Sequence, residues 1–87
     1  MIVHLSDIQR AFDELIAGTR SREDLSSWAR TLRISDDEGQ LLFEPAAMQD
    51  LIWRSILYLE GVDLKDSPNS YLHVPEDFIA FRSKLGI

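Results

Sequence analysis

The sequence predicts an all-α domain, a compact antiparallel bundle of four helices that occupies residues 1–87. Apolar residues recur at helical spacing in four separate segments, and capping residues, Pro or Gly bound each segment. Hydrophobic residues make up 45% of the chain and charged residues 28%, which are ordinary values for a folded globular protein. The short chain is therefore expected to form a single helical domain.

The first helix is predicted to begin at Ser6 or Asp7, because either side chain can accept a hydrogen bond from the first helical turn. Its apolar face is formed by Ile8, Phe12, Leu15 and Ile16. Gly18 follows the last apolar residue and is suited to the left-handed backbone that often ends a helix. The segment Ser21–Asp24 resembles a capping box and predicts the start of a second helix, whose apolar face is Leu25, Trp28, Ala29 and Leu32.

Residues 33–44 lose the helical spacing. The polar cluster from Ser35 to Gly39 is typical of a turn. Residues 40–43 then leave three possibilities open: a short strand, a single helical turn or a hydrophobic loop. If this segment pairs with another extended segment, the bundle becomes a helix–hairpin–helix variant.

Pro45 is expected at the first position of a long third helix, which Gly61 ends. Residues 62–74 form a second loop, Pro75 begins a fourth helix and Gly86 ends it. Glu76 and Asp77 lie in the first turn of that helix, where the helix dipole favours negative charge. The combined apolar faces predict one core containing Phe12, Leu25, Trp28, Leu51, Ile52, Ile56, Phe78 and Phe81.

The acidic residues are concentrated in one half of the chain. Residues 35–77 hold ten carboxylates but only two cationic side chains, whereas residues 1–34 hold five of each. A negative field of this kind attracts a basic partner and repels nucleic acid and anionic membranes. The only concentration of arginines is Arg20, Arg22, Arg30 and Arg33, interleaved with Glu23 and Asp24, which predicts a solvent-exposed face with salt bridges. The sequence thus argues against nucleic acid as a partner.

Motifs for catalysis or metal binding are missing from the sequence. The chain has no Cys, and its two histidines, His4 and His73, have no ligand-spaced neighbour. No Gly-rich phosphate loop and no nucleophile elbow occurs. We therefore expect a protein that is not an enzyme, with no catalytic residue, no metal and no cofactor. No apolar run approaches the roughly 18 residues of a membrane span, so a cytoplasmic, membrane-free location is expected.

Two sequence elements suggest relatives. The run from Asp66 to Phe78 has the pattern D-x-x-x-x-Y-L-x-x-x-x-D-F. With its length, charge and helix order, the chain resembles the small acidic immunity proteins that bacteria pair with nuclease bacteriocins, in particular the colicin D type. The run from Asp66 to Phe78, together with the E-x-x-x-x-W-A run from Glu23 to Ala29, is instead similar to short bacterial proteins of unassigned function. The paired tyrosines of the immunity proteins against DNase colicins are missing, so their binding residues cannot be transferred.

The immunity resemblance implies a protein that binds and neutralises a basic toxin domain of the nuclease kind, as a monomer or weak homodimer. Charge alone places the contact surface on nine residues: Asp36, Asp37, Glu38, Glu44, Asp63, Asp66, Tyr71, Glu76 and Asp77. Tyr71 is expected to be the aromatic anchor among these carboxylates. The alternative is a non-catalytic adaptor or homo-oligomeric module that uses the apolar residues Leu41, Leu42 and Phe43.

Overall fold

The computed structural model describes residues 1–67, 70–71 and 75–87, with backbone only for 65–67 and 70–71. In chain order the elements are β1 (Ile2–His4), α1 (Leu5–Ala17), α2 (Arg22–Asp37), β2 (Leu42–Glu44), α3 (Gln49–Glu60), β3 (Lys65–Ser67), β4 (Ser70–Tyr71) and α4 (Pro75–Leu85). The prediction of four helices is confirmed. None of the helices in the described ranges is both long enough and apolar enough to cross a bilayer.

The all-α prediction is wrong, because the helices are joined by short paired strands. β1 and β2 form a two-stranded parallel sheet in which Ile2 pairs with Leu42 and His4 pairs with Glu44. β3 and β4 form a separate antiparallel pair. Val3 is 1% exposed between two exposed neighbours, and three residues are too few for alternation of this kind to reveal a strand in sequence. Of the possibilities left open for residues 40–43, the strand is the one observed, shifted to Leu42–Glu44.

Local hydrogen bonds fix both ends of α1. At the start, the backbone N–H of His4 donates to the carboxylate of Asp7 at 2.9 Å. At the end, Gly18 has a φ of 73°, and its N–H donates to the carbonyl groups of Glu14 and Leu15. The predicted role of Gly18 is confirmed, because a left-handed φ of this size is easily adopted only by glycine.

α2 begins as predicted and ends later than predicted. The hydroxyl of Ser21 accepts the N–H of Asp24 at 3.0 Å, which confirms the cap. The helix continues to Asp37, so most of the turn predicted from Ser35 to Gly39 is helical. Ser35 is 7% exposed and occupies the core side of the helix one turn after Leu32. A serine at a core position hides the helical spacing, which is why the sequence pattern ended too early.

α4 and the end of α3 follow their predicted boundaries, whereas α3 begins later than predicted, at Gln49. Pro45 precedes a 3₁₀ turn at Ala46–Met48 instead of standing at the first position of α3 itself. Gly61 caps α3, and α4 begins at Pro75 and ends just before Gly86. The four long helices therefore pack around one core with the β1–β2 sheet at its side.

The core is largely the predicted one. Phe12, Leu25, Ile52, Ile56 and Phe78 are fully buried, as expected. Trp28 and Phe81 are half-buried at its margin, and Leu51 is half-buried without joining it. Ile8, Leu15, Ala29, Leu32 and Leu59, from the predicted apolar helix faces, are also in the core. The core further contains four residues that the prediction did not include: Val3, Ala11, Leu41 and Val62.

Candidate nucleic-acid interface

Two of the arginines on α2 are neutralised by the end of α3. Arg33 Nε donates to both carboxylate oxygens of Glu60, at 2.7 and 2.9 Å, and its Nη1 lies 3.2 Å from the carboxylate of Asp37. Arg30 Nε lies 3.7 Å from Glu60. The hydrogen bond to Glu60, and then the charge of Glu60, raise the pKa of Arg33 above its already high usual value. The predicted salt-bridged face is confirmed for Arg30 and Arg33.

Other cationic side chains are also engaged within the fold. Arg82 on α4 pairs with Asp13 on α1, and its Nε donates to the carbonyl of Ile87 at 2.9 Å. The guanidinium of Arg22 lies over the ring of Phe78, 4.9 Å from the ring centroid. These groups tie helices together, so their charges are compensated or committed to packing.

The remaining arginines of the first two helices meet at a concave surface that we name the arginine cleft. It encloses about 370 Å³ between β1, α1 and α2 and is lined by Met1, Ile2, Val3, Asp7, Arg10, Ala11, Glu14, Arg20, Trp28 and Leu32. Buried residues form its floor, whereas Arg10, Arg20 and Trp28 provide its functional groups. The cleft thus combines two arginines and an indole on one concave surface.

The arginines of the cleft are held more loosely than Arg33, whose Nε lies 2.7 Å from Glu60. Arg10 is exposed and forms no ion pair with any described residue. Arg20 Nη1 lies 3.9 Å from Glu14, and its guanidinium carbon lies 5.8 Å from the Trp28 ring centroid. Asp7 also lines the cleft, but its carboxylate accepts the His4 N–H. Arg10 can therefore turn towards an anion, and Arg20 can do so by giving up its contact with the Trp28 ring but no short salt bridge.

Sequence reasoning missed this site for a physical reason. Arg10 lies on α1, whereas Arg20 and Trp28 belong to the loop before α2 and to α2 itself. In the sequence, Arg20 stands close to the arginines of α2. Only the packing of α1 against α2 shows that Arg20 lies in the cleft with Arg10, apart from Arg30 and Arg33. The available signal was Trp28 itself, because an indole has both an apolar body and a polar N–H and is common at binding surfaces, although the sequence pattern assigned it to the core.

The acidic residues predicted to bind a partner are distributed over several elements. Asp36 and Glu44 line a second groove of about 520 Å³, beside the exposed residues Ile2 and Leu42. Asp37 instead faces Arg33, and Glu38 is exposed at the end of α2. The other predicted residues do not line that groove.

Those remaining residues lie in the second half of the chain. Asp63 is half-buried in the turn after α3, and Glu76 and Asp77 are exposed in the first turn of α4. Asp66 lies in β3 and Tyr71 in β4, where the structure describes the backbone alone. The predicted anchor role of Tyr71 therefore stays a prediction. Burial, and then the charge of Asp77, raise the pKa of Tyr58, the aromatic residue that packs near α4.

The described residues contain no group of three His, Asp or Glu side chains close enough to hold a metal ion. His4 Nδ1 lies 4.0 Å from Glu44, and both side chains are more than half exposed. His73 lies outside the described residues. The expectation that no metal binds stays a prediction.

Comparison with known proteins identifies a different relationship from the one the sequence suggested. A family model described as "YxzC DNA-binding protein" matches residues 3–84 of the chain. The chain is also 36% identical over 63 residues to a Bacillus subtilis (strain 168) protein named "Uncharacterized protein YxzC". The aligned region covers 72% of this chain but 46% of that protein, so the chain spans about half the length of its curated relative. No solved structure matches the chain.

These matches overturn the immunity resemblance. No immunity family matches, so the predicted neutralisation of a basic toxin domain is wrong, and the matches give no support to the adaptor alternative. The exclusion of nucleic acid as a partner is also wrong for the family, whose description is DNA binding. The error arose because net charge was averaged over the whole chain, whereas nucleic acid contacts a local surface. A model that covers nearly the whole chain shows that this protein belongs to the YxzC DNA-binding protein family.

Proposed function

We propose that this chain binds DNA and that the arginine cleft is where the DNA is held. The observation that carries the proposal is that Arg10 and Arg20 share one concave surface with Trp28 and have no short salt bridge. Arginine side chains are well suited to phosphate oxygens, because the planar guanidinium presents several donors at once. The family description supports DNA as the anion.

The overall negative charge limits how DNA can approach. The chain carries a formal charge of −6, and most carboxylates lie in residues 35–77. Residues 35–77 therefore repel DNA. DNA approaches instead a surface on which arginines are at least as numerous as carboxylates. In the arginine cleft, two arginines face two carboxylates, Asp7 and Glu14. The acidic residues therefore restrict the orientation of bound DNA instead of preventing its binding.

The small number of cations also predicts weak binding. A protein that contacts two phosphates should show a slope of about −1 to −2 when the logarithm of the binding constant is plotted against that of the salt concentration. Non-specific protein–DNA complexes usually have dissociation constants of about 1–100 µM, and we expect this chain to fall in that range at low salt.

The test is fluorescence anisotropy of a labelled oligonucleotide with wild-type protein and with an Arg10→Ala/Arg20→Ala variant. We expect the double substitution to weaken binding at least about tenfold, since two charge-assisted phosphate contacts are lost. Arg54→Ala is the matched control, because Arg54 is exposed on α3 and has no ion pair with a described residue. Circular dichroism of each variant checks that the fold is retained. Absence of wild-type binding at low salt, or equal binding by the double variant, would contradict the proposal.

A further inference from the structure

The arginine cleft has the shape and chemistry of a site for a single nucleotide. Its volume of about 370 Å³ is concave and lies between two helices and a strand. A base that is paired inside a duplex cannot enter such a depression, whereas an unpaired base can leave the stack and do so. The shape of the cleft therefore discriminates between the forms of DNA that could enter it.

The described helices offer little to a DNA major groove. A recognition helix needs cationic and polar side chains that are free to reach the bases and phosphates. On α2, Arg33 is held by Glu60 and Asp37, and the C-terminal end of the helix carries Asp36 and Asp37, followed by Glu38 at the cap. Insertion of this helix into a duplex would place those carboxylates close to phosphates.

The cleft instead provides a platform for stacking. Trp28 is half-buried, so its indole is fixed by the core on one side while it lines the cleft on the other. The guanidinium of Arg20 lies over the indole, 5.8 Å from the ring centroid, so a base that stacks on this face displaces the guanidinium, which can then turn towards a phosphate. Proteins that bind single-stranded nucleic acid combine aromatic and guanidinium stacking surfaces with cationic groups that contact the backbone.

The small number of cationic side chains in the cleft also favours an unpaired strand over a duplex. Sequence-independent duplex binding usually depends on many phosphate contacts, on the order of 6–10. Among the described residues, the cleft supplies only two arginines, and two carboxylates, Asp7 and Glu14, also line it. With so few phosphate contacts, the interaction with the base must provide much of the affinity.

We infer that the arginine cleft takes an unpaired nucleotide, so that the preferred ligand of this chain is single-stranded DNA. The base stacks on Trp28, while Arg10 and Arg20 hold the flanking phosphates. This inference rests on the proposed function, since it names the form of DNA that the same site binds. The inference goes further than the proposed function because it predicts that the protein binds a single strand more tightly than a duplex of the same sequence.

The experiment compares three labelled probes of equal length: a mixed-sequence single strand, its duplex, and a single strand of abasic sites. Anisotropy at low salt should show the single strand bound at least about tenfold more tightly than the duplex, and about five- to tenfold more tightly than the abasic strand. The abasic probe keeps the phosphates and removes only the stacking surfaces. Equal binding of the abasic strand would overturn the role of stacking.

Two variants of Trp28 separate stacking from folding. Trp28→Phe keeps an aromatic face and should bind the single strand within about threefold of wild type, whereas Trp28→Leu keeps apolar packing and should lose about tenfold. Quenching of tryptophan fluorescence by the single strand should persist in Trp53→Phe and disappear in Trp28→Phe.

The failure of this inference can be distinguished from the failure of the proposed function. If none of the probes binds the wild-type protein, DNA binding itself is refuted. If the duplex binds as tightly as the single strand, or if Trp28→Leu binds normally while Arg10→Ala/Arg20→Ala does not, DNA binding stands and the unpaired nucleotide is refuted.

Discussion

A single residue, Glu60, connects two helices through both its backbone and its side chain. Its carbonyl accepts the hydroxyl of Ser26 at 2.6 Å, and its carboxylate accepts Arg33. Ser26 is 1% exposed, so this hydrogen bond is made away from water. Removal of the Ser26 hydroxyl would leave the carbonyl of Glu60 without this hydrogen bond, which lowers the free energy of unfolding.

We expect Ser26→Ala to lower the free energy of unfolding by about 1 kcal/mol, the usual net value of a buried hydrogen bond. The matched control is Ser27→Ala, because Ser27 is the exposed neighbour on the same helix. Urea unfolding followed by circular dichroism measures both variants. Equal midpoints for the two variants would show that the hydrogen bond to Glu60 contributes nothing to stability.

For single residues, the sequence indicates which side chains are charged. It does not indicate which of them form salt bridges in the folded protein. The face containing Arg30 and Arg33 was predicted to be salt-bridged, and it is. Arg20 belongs to the same run of sequence, yet it lies in the cleft with Arg10. Whether an arginine is compensated depends on the element packed against it, and a single sequence does not contain that information.

At the scale of elements, some helix ends were predictable from residues with a local role, but α1 begins at Leu5, before the predicted caps Ser6 and Asp7, and α3 begins after Pro45. Ser21, Gly18 and Pro75 act through their own backbone or through neighbours within one turn, so their functions can be recognised without tertiary contacts. The strands β1 and β2 depend instead on each other, across both intervening helices. A segment of three residues has no intrinsic preference strong enough to reveal such a pairing.

Two glycines test the backbone requirement at helix ends. Gly18 has a φ of 73°, and a Cβ added there would meet no atom within 4 Å, so any cost of Gly18→Ala comes from the backbone alone. We expect a loss of about 1 kcal/mol in unfolding free energy. Gly61 has a φ of −99° and only ordinary contacts at that position, so Gly61→Ala should be neutral or slightly stabilising. Thermal or urea unfolding compares them, and a larger loss at Gly61 would refute the backbone explanation.

At the scale of the whole molecule, charge asymmetry should control the strength of DNA binding. The second groove, which Asp36 and Glu44 line, shares Ile2 with the arginine cleft. Asp36 therefore lies on a surface that adjoins the cleft. We expect Asp36→Asn combined with Glu38→Gln to increase DNA affinity about two- to threefold at low salt, because repulsion of phosphate decreases.

The effect should disappear near 1 M salt, where the Debye length falls to about 3 Å. Anisotropy titrations over a series of salt concentrations measure it. Reduced affinity of the doubly substituted protein at low salt would mean that these carboxylates help to hold the DNA, in conflict with the proposed orientation.

The pairing of β1 with β2 also has a consequence for the order in which the chain folds. β1 is the first element of the chain, but its partner strand lies beyond α1 and α2. Joining distant segments costs loop entropy, which local contacts along the intervening helices can reduce only after those helices have formed. The sheet is thus expected to assemble late, with Val3 entering the core after α2 and α3 have packed. Because β1 and α1 form two sides of the arginine cleft, the binding surface should be completed only in this last step of folding.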